Sequence, residues 1–245
     1  SQEAYDYLTT LKLTLQYLGV SDCDMEKGSL RCDANVSIRP LGQKEFGPKT
    51  ELKNMNSFSA VKKAIDYEVA RHTQVILSGG KIVQETLLWN DEKGITITMR
   101  SKEQAHDYRY FPDPDLPPVQ LDQMHIDEVK QAMPRLPQQI RGILDGIKLD
   151  WSQVETLVDE PKAADLVVGL IEADQKPVAQ RVANWLTGDV QRAVIEGTFD
   201  WSQHSLSAQD LIELSGMIDD GTVSSTAAKE VLTALMQGKT QPMAI

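Results

Sequence analysis

The sequence is poor in cysteine and in long hydrophobic runs. Only 2 of its 245 residues are cysteines, Cys23 and Cys32, and they match neither a disulfide framework nor a paired zinc-ligand pattern. We therefore expect a reducing compartment, with both thiols packed as small hydrophobic residues. No apolar run approaches the roughly 20 residues that a membrane span needs, and no signal-peptide pattern opens the chain. These absences predict a soluble cytoplasmic protein with no membrane partner.

Positive charge is also scarce. The chain has 25 lysines and arginines against 36 acids, which gives a formal net charge of −11. Non-specific nucleic-acid binding depends on Lys and Arg displacing counterions from phosphates. The composition therefore argues against a generic nucleic-acid coat and predicts no DNA partner. It also disfavours tRNA, so any tRNA contact would need local basic patches or partner subunits that supply charge.

Familiar nucleotide and hydrolase motifs are missing as well. The sequence has no Gly-x-x-x-x-Gly-Lys-Ser/Thr phosphate loop, no glycine loop of the protein-kinase type and no serine nucleophile elbow. His106 and Asp107 suggest a catalytic dyad, but no second histidine or nucleophile at a known spacing completes it. Any nucleotide site in this chain must be of an unusual kind.

The first half of the chain alternates between helical and strand periodicity. Helices are predicted over 3–18 and 57–78, the second capped by Ser57. Its predicted buried side is Phe58, Val61, Ile65, Val69 and Ile76. Strands of an antiparallel sheet are predicted over 29–39, 49–53, 81–89 and 95–100. Four prolines between 108 and 119 exclude regular helix, so we place a domain boundary just after Val119.

Strand signals nearly vanish in the second half, where helical stripes follow one another. The predicted helices span 137–144, 152–158, 162–173, 177–196, 207–219 and 224–237. The candidate N-caps are Ser152, Ser207 and Ser224. Trp185 and Leu186 are interpreted as core, and the segment 200–202 as a hinge. The fold class that follows is α+β, with a mixed first part and an all-helical second part.

The most informative local feature is the polar side of the strand predicted over 29–39. Alternation places Arg31, Asp33, Asn35, Ser37 and Arg39 on one side. Such a row is able to bind a ligand, although an exposed sheet face with Arg/Asp pairing explains the same pattern.

Pairing of this strand with 49–53 would bring Glu51 beside Asp33. Carboxylates from neighbouring strands can hold magnesium against nucleotide phosphates, with Lys49 and Lys53 facing the phosphate oxygens. Two solvated surface acids are the alternative interpretation.

Longer stretches of the sequence resemble a known family. The stretches are SLRCDANVS (Ser29–Ser37), ELKNMNSF (Glu51–Phe58), MRSKE (Met99–Glu103), DYRYFPDPDL (Asp107–Leu116), NWL (Asn184–Leu186) and DDGTVSSTAAKEV (Asp219–Val231). In the right order and over essentially the whole chain, they resemble the GatB family, which comprises the B subunits of aspartyl/glutamyl-tRNA(Asn/Gln) amidotransferases.

The resemblance implies a domain division. A partial antiparallel-sheet cradle domain with long helices would span 1–120, a helical domain 121–204, and the start of a YqeY-like tail domain 205–245. It also implies a fragment, because the N-terminal part of the cradle, with further metal ligands, and the end of the tail have no counterpart here. We therefore expect this fragment alone to be catalytically incompetent.

The resemblance also implies an activity. In the family, the B subunit uses ATP and Mg²⁺ to phosphorylate the side-chain carboxylate of Glu-tRNA(Gln) or Asp-tRNA(Asn). Ammonia that the glutaminase (A) subunit releases from glutamine then displaces the phosphate, and a small C subunit straps the other two together. Either tRNA, or both, remain open as substrates. A non-catalytic tRNA-binding adaptor that has kept the fold is the alternative.

Site residues follow from the resemblance by motif position. Asp33 and Glu51 match the family's metal-binding acids, and Glu26 is a further candidate ligand. The residues assigned to the nucleotide or acyl-phosphate pocket are Arg31, Asn35, Lys49, Lys53, Glu103 and Arg109. The whole assignment requires Asp33 and Glu51 to meet on the same side of one sheet.

Overall fold

The computed structural model describes residues 1–101, 111–204, 206–239 and 242–244. Contacts divide the chain into two compact units, Ser1–Pro134 and Arg135–Ile245. The first holds a four-stranded sheet with helices and the second is helical, which confirms the α+β class. The three-part division at residues 120 and 204 stays a prediction. No helix in the described part of the chain is long and apolar enough to span a bilayer.

The first unit is built around one mixed sheet. Its elements are α1 (Gln2–Tyr17), β1 (Ala34–Val36), β2 (Thr50–Lys53), α2 (Phe58–Leu77), β3 (Glu85–Asn90), β4 (Ile95–Ser101) and α3 (Gln123–Ala132). The strands lie in the order β1-β2-β3-β4. The pairs β1/β2 and β3/β4 are antiparallel, whereas β2 and β3 are parallel. The predicted all-antiparallel sheet was therefore wrong at its centre, because α2 acts as a crossover that returns the chain to the same end of the sheet.

The first predicted strand is much shorter than its alternation suggested. Regular pairing covers only Ala34–Val36, and the chain then leaves the sheet. The Ser37 hydroxyl donates to the Gly47 carbonyl at 2.8 Å, and the Arg39 guanidinium lies 4.8 Å from the Phe46 ring centroid. Ser37 and Arg39 thus stabilise the loop between β1 and β2 and do not extend the polar row.

One face of the sheet packs on α1 and α2. The core combines Leu8 of α1, Val61 of α2 and, from the strands, Leu52, Leu87 and Trp89. Along β2, Thr50 and Leu52 are buried while Glu51 and Lys53 are half-buried, so alternate residues face opposite sides. We call the helix-covered side the inner face and the other side the outer face.

Both cysteines are free thiols. Cys23 is buried and Cys32 is half-buried against the core of the first unit. The expectation that they pack as small hydrophobic residues is met fully by Cys23 and partly by Cys32.

The buried side of α2 differs from the predicted one. Val61 is buried, but Val69 and Ile76 are 40% and 47% exposed, and Glu68 and His72 are fully buried in their place. The buried stripe runs through positions 61, 64, 68 and 72, a helical spacing that carries two ionisable residues. A rule that buries only apolar residues cannot find this stripe, because charged groups enter a core only with partners from other elements.

Those partners form a compact polar cluster, which we call the Glu68 cluster: Thr50, Glu68, Arg71, His72 and Thr96. The Glu68 carboxylate accepts two hydrogen bonds from Arg71, both at 2.8 Å, one from Thr96 at 2.7 Å and one from Thr50 at 3.0 Å. His72 Nε2 lies 3.1 Å from the Thr50 hydroxyl and 3.3 Å from Glu68. The cluster thus joins α2 to β2 and β4.

All regular elements among the described residues of the second unit are helical. It contains α4 (Pro137–Leu144), α5 (Trp151–Val158), α6 (Pro161–Glu172), α7 (Lys176–Trp185), a π-helical turn (Leu186–Val190), α8 (Gln191–Ile195), α9 (Ala208–Asp219), α10 (Ser225–Met236) and a final 3-10 turn (Pro242–Ala244). The predicted helix over 177–196 is thus interrupted by the π-helical turn. Trp185 and Leu186 are buried as expected.

Helix starts in the second unit confirm two of three predicted caps. Ser207 and Ser224 each accept a hydrogen bond from the first turn of α9 and α10. The prediction that Ser152 is an N-cap was wrong, because Asp150 caps α5 and exchanges hydrogen bonds with Gln153. The N-cap lies two residues earlier than predicted, because the Asp150 side chain accepts from a free amide of the first turn. Ser152 therefore lies inside the helix.

The segment 200–202, predicted as a hinge, lies within the second unit, and apolar residues in and beside it are buried. Phe199, Trp201 and Leu206 are buried, and Phe199 and Trp201 meet edge to face with ring centroids 5.0 Å apart. In the same unit, Arg181 of α7 donates to the Ser215 carbonyl at 2.9 Å and to Asp219 at 2.7 Å. These contacts hold α9 against α7.

The Glu68 cluster predicts how acid affects the first unit. Burial lowers the pKa of His72 below its ordinary value of 6.5, so the folded protein holds this ring neutral. As pH falls below that value, unfolded chains bind a proton that folded chains do not, and stability is lost. Burial by itself raises the pKa of Glu68, but the hydrogen bonds from Arg71 and Thr96 lower it by more, so the pKa lies below its ordinary value of 4.5. Stability is therefore lost further as the pH falls below 4.5.

We expect the opening free energy of α2 to fall more steeply between about pH 7.5 and about pH 5.5 in the wild type than in His72→Gln. The Gln amide keeps a donor near the Nε2 position but does not titrate. Native-state hydrogen exchange of the α2 amides measures this energy. The solvent-exposed His125 of α3 supplies the control variant His125→Gln. Equal pH dependence in wild type and His72→Gln would contradict the prediction.

Candidate functional site

The outer face of the sheet gathers the polar residues of the two shortest strands. In the β1/β2 register Asn35 lies opposite Glu51, and Ala34 opposite Leu52. Because Leu52 points to the inner face, Glu51 and Lys53 point to the outer one. Asp33, just before β1, reaches Lys53 on this side. The structure therefore places both predicted acids, Asp33 and Glu51, on the same face.

A single ammonium group joins the two acids. Lys53 Nζ lies 2.8 Å from Asp33 Oδ2 and 3.5 Å from Glu51 Oε1. The hydrogen bond from Lys53 to Asp33 raises the pKa of the lysine, which stays charged. The three side chains are 48%, 21% and 38% exposed for Asp33, Glu51 and Lys53, so each ion pair contributes under about 1 kcal/mol. The lysine can exchange these partners at little cost.

Thr86 completes the arrangement, and sequence reasoning missed it. In the parallel β2/β3 register Thr86 lies beside Glu51, and its hydroxyl donates to Glu51 Oε2 at 2.9 Å. Thr86 is buried, so its hydroxyl is a fixed donor that orients the Glu51 carboxylate. No local signal marks this threonine, because its role depends on a pairing between residues that are 35 positions apart.

The other predicted site residues do not all lie beside Asp33, Glu51 and Lys53. Asn35, Arg31 and Lys49 are solvent-exposed, and of the three Asn35 lies directly opposite Glu51 in the strand register. Glu26 lines a concavity of about 620 Å³ beside the start of α2, which neither Asp33 nor Glu51 lines. Arg109 and Glu103 lie outside the described residues.

The donor set on the outer face fits a hard divalent cation only in part. Among the described residues no group of three or more His, Cys, Asp and Glu side chains is placed to hold a metal ion. Asp33 and Glu51 offer carboxylate oxygens, and Mg²⁺ commonly takes one or two carboxylates and completes its shell with water and substrate phosphates. The residues therefore fit a magnesium site shared with a phosphorylated ligand, and not an all-protein cage. Their role as metal ligands stays a prediction.

Family models match both ends of the chain. A model described as the GatB/GatE catalytic domain matches residues 1–127, which is more than half of the chain and includes the whole sheet. A second model, described as the GatB domain, matches residues 165–245.

Individual relatives agree with these matches. The chain is 41% identical over 245 residues to the B subunit of the aspartyl/glutamyl-tRNA(Asn/Gln) amidotransferase of Carboxydothermus hydrogenoformans, covering 100% of this chain and 50% of the relative. Proteins of the same name from Trichodesmium erythraeum and Pelodictyon phaeoclathratiforme are 44% and 43% identical, over 96% and 100% of this chain and 47% and 51% of their own lengths. The chain thus spans about half the length of the curated relatives it matches.

The sheet that carries Asp33, Glu51 and Lys53 lies wholly inside the region matched as a catalytic domain, and the terminal helices lie inside the second matched region. By these matches the chain belongs to the GatB family.

Proposed function

We propose that this chain is part of the B subunit of a tRNA-dependent amidotransferase. Its substrate would be Glu-tRNA(Gln), Asp-tRNA(Asn) or both, and its cofactors ATP and Mg²⁺. The γ-phosphoryl group of ATP passes to the side-chain carboxylate of the misacylated residue, and ADP leaves. Ammonia from the glutaminase subunit then displaces phosphate and forms the amide. Family membership, together with the names of the relatives, supports this proposal.

The observation that carries the proposal is the pair of partly exposed acids bridged by Lys53 on the outer face of the sheet. A carboxylate is a poor acyl donor, so phosphorylation supplies a leaving group. Phosphoryl transfer gathers negative charge, which positive groups must offset. Mg²⁺, when held by Asp33 and Glu51, would neutralise part of that charge. Lys53 would then turn from the carboxylates towards phosphate oxygens.

The proposed partners follow from membership of the family. A glutaminase (A) subunit would supply ammonia, and a small strap (C) subunit would hold the assembly together. The chain covers half of its relatives, so activity is expected only in the full-length subunit within the complete complex. Because the net charge is −11, tRNA recognition would depend on shape and local contacts.

The two acids provide the direct test. In the full-length complex, Asp33→Asn or Glu51→Gln is expected to lower ATP-dependent transamidation by about 100-fold or more, because each change removes a charged metal ligand. tRNA binding and glutamine hydrolysis should persist. Steady-state formation of the amidated aminoacyl-tRNA, a filter-binding assay and a glutaminase assay measure the three quantities.

The control for this test is Glu92→Gln. Glu92 is a solvent-exposed acid in the turn between β3 and β4, so the change matches Glu51→Gln in chemistry and leaves the outer-face acids intact. Its transamidation rate should equal that of the wild type. Normal product formation by Asp33→Asn and Glu51→Gln would rule out the metal role and favour the tRNA-binding adaptor.

The terminal helices are expected to serve tRNA and not ATP. Deleting the residues after Ser205 in the full-length subunit should weaken tRNA affinity by about 10-fold or more at fixed salt, with ATP affinity within about 2-fold of the wild type. The deletion removes the α9 partners of Arg181, so hydrogen exchange of α4 to α8 must first show that these helices stay folded. Equal loss of both affinities would contradict the division of labour.

A further inference from the structure

The Glu68 cluster lies on the inner face of the same strand that carries Glu51 and Lys53. Thr50 is the neighbour of Glu51 along β2, and its hydroxyl reaches the buried carboxylate of Glu68. We propose that Glu68, through Thr50, is a positioning residue that sets the register of β2 and so holds Glu51 and Lys53 in place on the outer face. The catalytic consequence of this positioning rests on the proposed function.

The contact between β2 and α2 is both buried and specific. Thr50, Glu68 and His72 are fully buried. The Thr50 hydroxyl has one proton, which it donates to Glu68 Oε2 at 3.0 Å, so its oxygen accepts from His72 Nε2 at 3.1 Å. This arrangement needs a neutral ring with its proton on Nε2, and burial lowers the pKa of His72 accordingly. Thr50 therefore satisfies two groups of α2 at once.

Glu68 is itself fixed from other directions. Arg71 holds the carboxylate through two bonds at 2.8 Å, and Thr96 of β4 adds a third at 2.7 Å. The same guanidinium lies 3.9 Å from Glu85 of β3, which also accepts from Thr98 of β4 at 3.1 Å. The carboxylate therefore cannot follow β2 if that strand shifts.

The alternation of faces along β2 excludes a register shift by one residue but not a shift by two. A shift by one residue would turn Leu52 outward and Glu51 inward, which apolar burial forbids. A shift by two residues keeps every side chain on its own face but moves Glu51 by about 7 Å along the sheet. In that shifted register Leu52 would face Glu68 in place of Thr50, and the buried carboxylate would lose a donor. The loss of the Thr50 hydroxyl from Glu68 thus adds to the cost of this shift, which also places Asn54 in the buried position of Leu52.

The strands are short, so their register needs side-chain contacts in addition to the ladder hydrogen bonds. β2 has 4 residues and β1 has 3, so few ladder hydrogen bonds define their register. On the outer face, Thr86 of β3 bonds Glu51 in the same register. Glu51 is therefore fixed directly by Thr86 and, through its neighbour Thr50, by Glu68.

The test compares Thr50→Val, Thr50→Ser and the control Thr96→Val in the full-length subunit within its complex. Thr50→Val and Thr96→Val each remove one hydroxyl donor from Glu68, but only Thr50 lies on the strand of the candidate site, and only Thr50→Val also removes the acceptor of His72 Nε2. Thr50→Ser keeps the donor. Hydrogen exchange of the amides of residues 51–53 reports the strand without requiring activity. The Mg²⁺ concentration for half-maximal transamidation reports the site.

We expect Thr50→Val to accelerate exchange at 51–53 by about 10-fold or more and to raise the half-maximal Mg²⁺ concentration by about 5-fold or more. Thr50→Ser and Thr96→Val should stay within about 2-fold in both. Equal effects of Thr50→Val and Thr96→Val would show general loss of stability and overturn the proposal. Faster exchange with an unchanged Mg²⁺ requirement would also overturn it.

Failure of the proposed function has a different signature. If Glu51→Gln leaves transamidation unchanged, the assignment of the outer face is wrong whatever Thr50 does. The exchange measurement would still decide whether Thr50 and Glu68 set the strand, because it depends only on the fold.

Discussion

The pairing of β1 with β2 in one register is the constraint on which the candidate site depends. A strand directs alternate residues to opposite faces, so the burial of Leu52 commits Glu51 and Lys53 to the outer face. Burying such a leucine contributes about 2 kcal/mol, more than the exposed ion pairs around Lys53 together supply. The site is therefore held together by the strand beneath it and not by attraction among its own charges.

Charged groups occupy both faces of this sheet, buried on the inner face and partly hydrated on the outer face. On the inner face Glu68 is fully buried, and Arg71, Thr50 and Thr96 bond to it, so removing one partner would leave a buried charge undersatisfied. On the outer face Asp33, Lys53 and Glu51 remain partly hydrated, and their partners can be exchanged for ligand atoms. The inner charges suit a structural role, and the outer charges suit binding of an anionic ligand with a divalent cation.

The second unit contributes a different kind of surface. Its helices begin at identifiable caps, and Arg181 holds α9 on α7 through the Ser215 carbonyl and Asp219. It lies mostly within the second matched family region, and its sequence carries more acids than bases. A surface of this composition offers no general attraction for phosphate, because such attraction would require a net positive charge.

The sequence by itself determined the helical second half, the caps at Ser57, Ser207 and Ser224, the alternation along β2 and the family motifs. Those features are local, because periodicity, capping and short motifs are written within a few neighbouring residues. Only the tertiary structure decided the parallel pairing that brings Thr86 to Glu51, the place of Lys53 between two acids, and the burial of Glu68 and His72 where Val69 and Ile76 were expected. The buried carboxylate and the oriented one depend on partners 18 and 35 residues away, since the cost of burying a charge is set by whichever groups the fold brings to it.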